Sequence, residues 1–376
     1  MKNIVKLENQ FLFLIILLVI FYSFFKDSFW NFFIVPIGNE NLDFTDLRCV
    51  QSWKGLINYY TDLEELYSSY NKICRLNYPK IWVLISKFFF QEKFTYYYLS
   101  INFILYSYVY FILIKKQKSY FFLYFYLSGA SLLLLERGNI ESLIFILIYF
   151  IFSNNRFINL IIFQIAVFLK VFPVFAVFGF IDKNKNLFIF IFASIISFFY
   201  FLYSYQELTY LFSATPKTGD MSYGSLAITS NLKKHFDIDL NHLYLSLTLI
   251  ITSIFLYMIK LKKIMGDFNY SNINMFLSGA GIFIFTFILS SNHDYRLIFL
   301  LFTVPLILDL KNKTFIYLLI PTIIFSFELH KLIYFLGFFG GVINSFFKIV
   351  LFYLIFLLFL DIVVKKSKDY FKILTS

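Results

Sequence analysis

Residues 11–25 read FLFLIILLVIFYSFF. The run has no charge, no proline and no glycine, and its apolar residues do not alternate with polar ones. A strand of a membrane barrel would alternate, with about ten residues per segment. A helix that crosses a bilayer needs about 20 mostly apolar residues, within a range of roughly 17–25. The stretch therefore predicts a membrane helix rather than a strand.

The same texture recurs near 95–114, 119–135, 140–152, 157–169, 171–181, 187–204, 243–259, 272–290, 296–309, 314–328 and 346–364. Several of these runs are too short to cross alone, so the expectation is an all-α polytopic bundle of about 10–13 spans. The whole chain, 1–376, reads as a single transmembrane domain. Lys170 and Pro173 lie between two of the short runs, 157–169 and 171–181, which predicts a broken or re-entrant pair there. Irregular backbone at that depth must be buried in protein or line a cavity.

Composition agrees. Of the 376 residues 60% are hydrophobic, 23% aromatic and only 15% charged, where a soluble domain carries about 25% charged residues. The net charge of +11 does not point to nucleic acid, because lysine and arginine collect in short clusters between apolar runs. These clusters (Lys2 and Lys6, Lys115 to Lys118, Arg156, Lys183 and Lys185, Lys260 to Lys263, Lys311 and Lys313, and the tail KKSKDYFK) fall on one side of the predicted topology. By the positive-inside rule that side is the cytoplasm. Both termini are then cytoplasmic, and the expected location is a bacterial inner (plasma) membrane. The first run follows a short basic start, as in a signal peptide. It lacks a small-residue cleavage site and enters the bulky KDSFWNFF, so it reads as a retained anchor.

Two long segments fall on the outer side, 26–94 and 205–242. Connections of this length are more often functional than filler. Within the first, IWVLISKFFF (81–90) is too short to span and carries a lysine, which predicts a helix lying along the interface. Cys49 and Cys74 are the only cysteines. Both lie in this segment, where an oxidising compartment permits either a disulfide or two separate thiols.

The outer ends gather the polar residues. FTDLRCVQSW follows Asp43 and carries Asp46 and Arg48; LERGNIES carries Glu136, Arg137, Asn139 and Glu141; FLKVFPVF carries Lys170; SNHDYRLIF carries Asn292, His293, Asp294 and Arg296. Each has a structural explanation. Arg137 and Glu141 are spaced to pair on one helix turn, in the weaker orientation; Gly138 and Asn139 suit a turn; Lys170 can snorkel to the interface; His293 can be held by its turn; Asp43 and Asp46 can be solvated loop carboxylates. Their shared side favours a polar site. A carboxylate near an acceptor hydroxyl can take its proton, and arginine and lysine can hold a phosphate and stabilise the charge left on it. No P-loop, HExxH, zinc-spaced cysteine cluster or nucleophile elbow is present in the sequence, and no metal site or cofactor is expected.

Five motifs in order resemble a known family: Asp46-Leu47-Arg48 soon after the first span, Tyr78-Pro79 before an interfacial helix, Arg137-Gly138-Asn139 at a span's start, Lys170 with Pro173, and Asp294-Tyr295-Arg296 late in the chain. Their order is similar to that of the polyprenol-phosphate-mannose-dependent α-mannosyltransferases of the phosphatidylinositol-mannoside type, in the GT-C superfamily, over about residues 11–310. The resemblance implies a GT-C bundle with its active site on the outer face. It implies inverting transfer of a mannose-like hexose from a polyprenyl-phosphate donor to a lipid-linked or envelope glycan acceptor. In this resemblance Asp46 is the base with Asp43 in reserve. Arg137, Lys170 and Arg296 bind the donor phosphate, and Asn139, His293, Asp294 and Tyr78 contact donor or acceptor. The two loop cysteines, Glu136 and Glu141 depart from the family pattern. A polysaccharide polymerase or ligase using pyrophosphate-linked glycans, or a lipid-linked sugar flippase or transporter, would share the outer cavity; no internal repeat of the kind common in transporters is evident.

Overall fold

The computed structural model describes residues 2–24, 44–68, 74, 76–89, 94–152, 155–181, 187–215, 222–259 and 272–374. In chain order the helices are α1 (Lys2–Phe24), α2 (Thr45–Ser52), α3 (Leu63–Ser68), α4 (Ile81–Phe89), α5 (Thr95–Gln117), α6 (Phe121–Leu127), α7 (Gly129–Arg137), α8 (Glu141–Phe150), α9 (Arg156–Leu169), α10 (Leu187–Tyr203), α11 (Tyr205–Ala214), α12 (Ser225–Phe236), α13 (His242–Ile259), α14 (Ile273–Leu289), α15 (Val304–Leu308), α16 (Lys313–Leu336) and α17 (Phe338–Leu374). Among the described residues 3-10 helices run over Trp53–Tyr59, Phe172–Phe180 and Asp294–Phe302. Two residues each of β1 (Ser222–Tyr223) and β2 (Asn292–His293) form an antiparallel bridge, Ser222 opposite His293 and Tyr223 opposite Asn292. Among the described residues the fold is all-α apart from this bridge.

Among the described residues four helical segments are long and apolar enough to cross a membrane: Leu7–Phe24, Thr95–Gln117, His242–Ile259 and Phe339–Lys366. A fifth results if the bent pair Phe188–Tyr203 and Tyr205–Ala214 counts as one span. The sequence expectation also counts shorter runs, which form the apolar helical segments Glu141–Phe150, Arg156–Leu169, Ile273–Leu289 and Phe315–Glu328, and other runs are interrupted. The run 119–135 breaks at Ser128, whose backbone is extended and whose hydroxyl accepts from Ser131 N to start α7. The expected spans 157–169 and 171–181 form α9 and a 3-10 helix, parted at Lys170, which is also extended (φ −157°). Pro173 opens that 3-10 helix. The expected span 296–309 is a 3-10 helix and the short α15, with Pro305 at its start. The segments 26–94 and 205–242, expected as outer loops, are largely helical where described, and a helix forms over Ile81–Phe89, within the stretch 81–90.

The chain divides into two compact units. One comprises residues 1–146 and 206–215, the other 147–205 and 216–376. In the first unit, α5, α6 and α7 share a buried hydroxyl cluster. The Ser131 hydroxyl bonds Tyr106 OH at 2.5 Å and Tyr110 OH at 2.9 Å, and Ser107 bonds Tyr126 OH at 2.7 Å. Polar bonds of this kind hold apolar helices together where burial of apolar surface against lipid gains little. In the second unit α14 is almost wholly buried. Its small residues admit close backbone approach: a Cβ on Gly281 would lie 2.3 Å from the Phe175 carbonyl, and Ser278 donates to the Ala176 carbonyl at 2.8 Å. The irregular helices Phe172–Phe180 and Asp294–Phe302 are mostly buried, which satisfies the demand on irregular backbone at membrane depth. The outward faces of α1, α5, α10 and α13 are apolar, with Phe13, Ile16, Tyr96, Ile104, Phe188, Phe199 and Met258 exposed. Contiguous exposed apolar surface suits contact with lipid.

Candidate functional site

In the first unit the candidate site begins where α7 ends. Gly138 adopts φ +57°, and its N–H and that of Asn139 return to the carbonyls of Leu135 and Leu134. This is a Schellman ending, which favours glycine because a side chain is strained at positive φ. A Cβ at Gly138 would also meet Leu99, Leu47 and Phe44 at 3.1–3.4 Å. The bare turn therefore lets α2 sit against it, and Phe44 N donates to the Glu136 carbonyl at 2.8 Å. Asp46, in the first turn of α2, is thereby brought to Asn139.

Asn139 is buried and organises the group. Its Nδ2 donates to Asp46 Oδ2 at 2.6 Å. Its Oδ1 accepts from Glu141 N at 2.8 Å and from Tyr78 OH at 3.4 Å. Arg137 lies between two carboxylates, with Nη1 3.9 Å from Asp46 Oδ1 and Nε 3.6 Å from Glu136 Oε2. The Arg137 and Asp46 side chains keep 23% and 26% of their surface exposed, so both can meet a molecule from outside. Three sequence motifs thus converge: Asp46-Leu47-Arg48, Tyr78-Pro79 and Arg137-Gly138-Asn139. Arg48 is exposed and reaches Thr45 instead. Asp43 lies outside the described residues.

Two further features fix the group. A disulfide joins Cys49, one turn beyond Asp46 on α2, to Cys74, with Cα atoms 4.9 Å apart. Trp53 Nε1 donates to the Cys74 carbonyl at 2.9 Å. The Tyr78 ring is held between Trp53 and Trp82, at centroid distances of 5.3 and 5.9 Å.

In the second unit Lys170 and Arg296 meet at one aromatic ring. The Arg296 guanidinium carbon lies 4.4 Å from the centroid of Phe172, and Lys170 Nζ lies 5.7 Å from it. Arg296 donates to Asn292 Oδ1, and Asn292 Nδ2 donates to the Thr286 carbonyl at 2.7 Å. His293 stacks on Tyr295 at 5.4 Å. Asp294 is buried against Lys348, Oδ1 to Nζ at 2.5 Å, and the same ammonium donates to the Ser222 carbonyl at 3.2 Å. Asp294 therefore anchors the β1–β2 bridge to α17, and its near neighbour Arg296 carries the cationic face.

Lys348, Phe172 and Glu207 did not stand out in the sequence. Lys348 is a lone cation at the edge of an apolar run and Phe172 one of 56 phenylalanines. A lysine inside an otherwise apolar span, which needs a partner there, was the available signal for the first. No protein-family model, curated protein or solved structure matches the chain. By helix length and composition the protein is a helical membrane protein.

Proposed function

We propose that the protein is a membrane glycosyltransferase that moves a hexose from a polyprenyl-phosphate donor to a lipid-linked or envelope glycan acceptor. The observation that supports this reading is the Asp46–Asn139–Arg137 group: an oriented, partly exposed carboxylate beside a partly exposed guanidinium. A carboxylate has about four lone-pair positions. Asn139 occupies one and fixes the plane, leaving others for an acceptor hydroxyl. In the proposed step the acceptor oxygen attacks the anomeric carbon and its proton passes to Asp46. The bond from that carbon to the phosphate oxygen breaks, and the polyprenyl phosphate leaves with the electron pair. Attack from the face opposite the leaving group inverts the anomeric centre. A guanidinium suits the phosphate because its fork matches two oxygens, so Arg137 is assigned to the leaving group, for which it must part from Asp46, 3.9 Å away. Tyr78 in the same unit is assigned to sugar or acceptor; in the second unit, taken by itself, Lys170 and Arg296 are assigned to a phosphate and His293 to sugar or acceptor.

The test is transfer by purified protein from a polyprenyl-monophosphate hexose, with Asp46→Asn as the inactive control that still folds and inserts. Full transfer by Asp46→Asn, with Asp43 also replaced, overturns the reading. Preference for a polyprenyl-pyrophosphate oligosaccharide in donor competition makes the protein a polymerase or ligase. Substrate-dependent flux into liposomes without a new glycosidic bond makes it a transporter.

A further inference from the structure

Glu207 belongs to none of the sequence motifs. It lies on α11, in the same compact unit as Asp46, and is buried. Its Oε1 accepts from Lys80 N at 2.6 Å and from Tyr67 OH at 3.2 Å. The Tyr67 hydroxyl also lies 3.1 Å from the Tyr78 carbonyl. One turn further along α11, Tyr210 stacks on the Tyr67 ring, 6.4 Å between centroids and 8° between planes. Lys80 immediately precedes α4, so the carboxylate sits at that helix's N-terminus, where negative charge is favoured.

A continuous path of bonds results. Glu207 holds Tyr67 and the start of α4; these bracket Tyr78, whose hydroxyl reaches Asn139 Oδ1 and, through that amide, Asp46. A buried carboxylate is costly unless its bonds are made, and here its oxygen receives two, one from Lys80 N two residues after Tyr78 and one from Tyr67 on α3.

Resting on the transferase reading above, we infer that Glu207 is a positioning residue for the Asp46 site, acting through Tyr67 and Tyr78. Misplacing a reacting group by about 1 Å costs on the order of a hundredfold in rate. Glu207→Ala is therefore expected to lower kcat by about ten- to a hundredfold, with the donor KM unchanged. Glu207→Gln keeps an acceptor oxygen and restores most of the rate. Tyr67→Phe gives a several-fold loss and carries the same comparison if Glu207→Ala does not reach the membrane.

Two of the three tryptophans, Trp53 and Trp82, flank Tyr78, so Trp emission reads the Tyr78 clamp without any assay of transfer. The expected signature is a shifted emission in Glu207→Ala, reversed in Glu207→Gln. Unchanged emission, or unchanged kcat in Glu207→Ala while Asp46→Asn is dead, overturns the assignment. A rise in KM with kcat intact also overturns it. If Asp46→Asn keeps full activity the transferase reading fails by itself, and the emission alone then decides whether Glu207 sets Tyr78.

Discussion

Asn139 Nδ2 donates to Asp46 Oδ2 at 2.6 Å across 93 residues of sequence. The same side chain accepts from Tyr78 and from Glu141 N, so one buried amide joins three segments. Leaving a buried partner unsatisfied costs about 1–3 kcal/mol. Asn139→Ala is expected to lower stability by about 2 kcal/mol, measured by thermal unfolding in detergent. It is also expected to reduce transfer more than Tyr78→Phe, because it frees the Asp46 carboxylate itself. An Asn139→Ala protein with native stability and rate would refute the central place given to this amide.

The disulfide between Cys49 and Cys74 ties α2, which carries Asp46, to the segment that leads to Tyr78. A native disulfide typically contributes about 2–4 kcal/mol. Reduction, or the pair Cys49→Ser and Cys74→Ser, is expected to lower the unfolding temperature. Transfer should fall in the same samples while membrane insertion persists. Equal unfolding temperatures with and without reductant would show that the tether contributes nothing.

Much of the first unit's site was legible in the sequence. Residue type and place at the ends of apolar runs single out Asp46, Arg137 and Asn139, the motif resemblance adds Tyr78, and the fold brings the four together. Gly138 explains why: its positive φ and bare Cα make room for Leu47 and Phe44, and a turn glycine at a span's end is visible in sequence. The Glu136 carboxylate lies 3.6 Å from Arg137 Nε, a pairing of sequence neighbours that helical i,i+4 spacing does not point to. The span count was less legible. Hydropathy integrates over a window, whereas a helix ends at single residues such as Ser128, whose extended backbone carries no strong signal; the break at Lys170 is legible because a charge and Pro173 interrupt the apolar texture there. The partner of Asp294 was also hidden. Lys348 lies 54 residues away in a run otherwise suited to lipid, and no local pattern links the two.

That Asp294–Lys348 pair makes a separable prediction. Both side chains are almost fully buried, at 3% and 1% exposure. Removing one partner of a buried ion pair strands the other charge and costs about 3–5 kcal/mol, whereas replacing both with apolar groups of similar size is often near neutral. Asp294→Leu and Lys348→Met should each destabilise strongly. The double variant should be more stable than either. Simple addition of the two losses, in a double-mutant cycle read by thermal unfolding, would show that the pair is not coupled.

Arg296 and Lys170 provide the last test, because they share the Phe172 ring. A guanidinium stacks on an aromatic face and still presents its N–H edge to a phosphate, whereas an ammonium offers a point charge and no plane. The cation–ring contact itself is worth about 0.5–2 kcal/mol. Arg296→Lys keeps the charge but loses the stack and the Nη1 bond to Asn292. It is expected to raise the donor KM by about tenfold or more, the equivalent of roughly 1.4 kcal/mol. Phe172→Leu keeps apolar bulk and removes the ring, so it should give part of the same rise without altering Lys170 or Arg296. Measured donor KM values decide the matter: if Arg296→Lys matches the wild type, the residue serves only as a charge, and the planar recognition assigned to it is wrong.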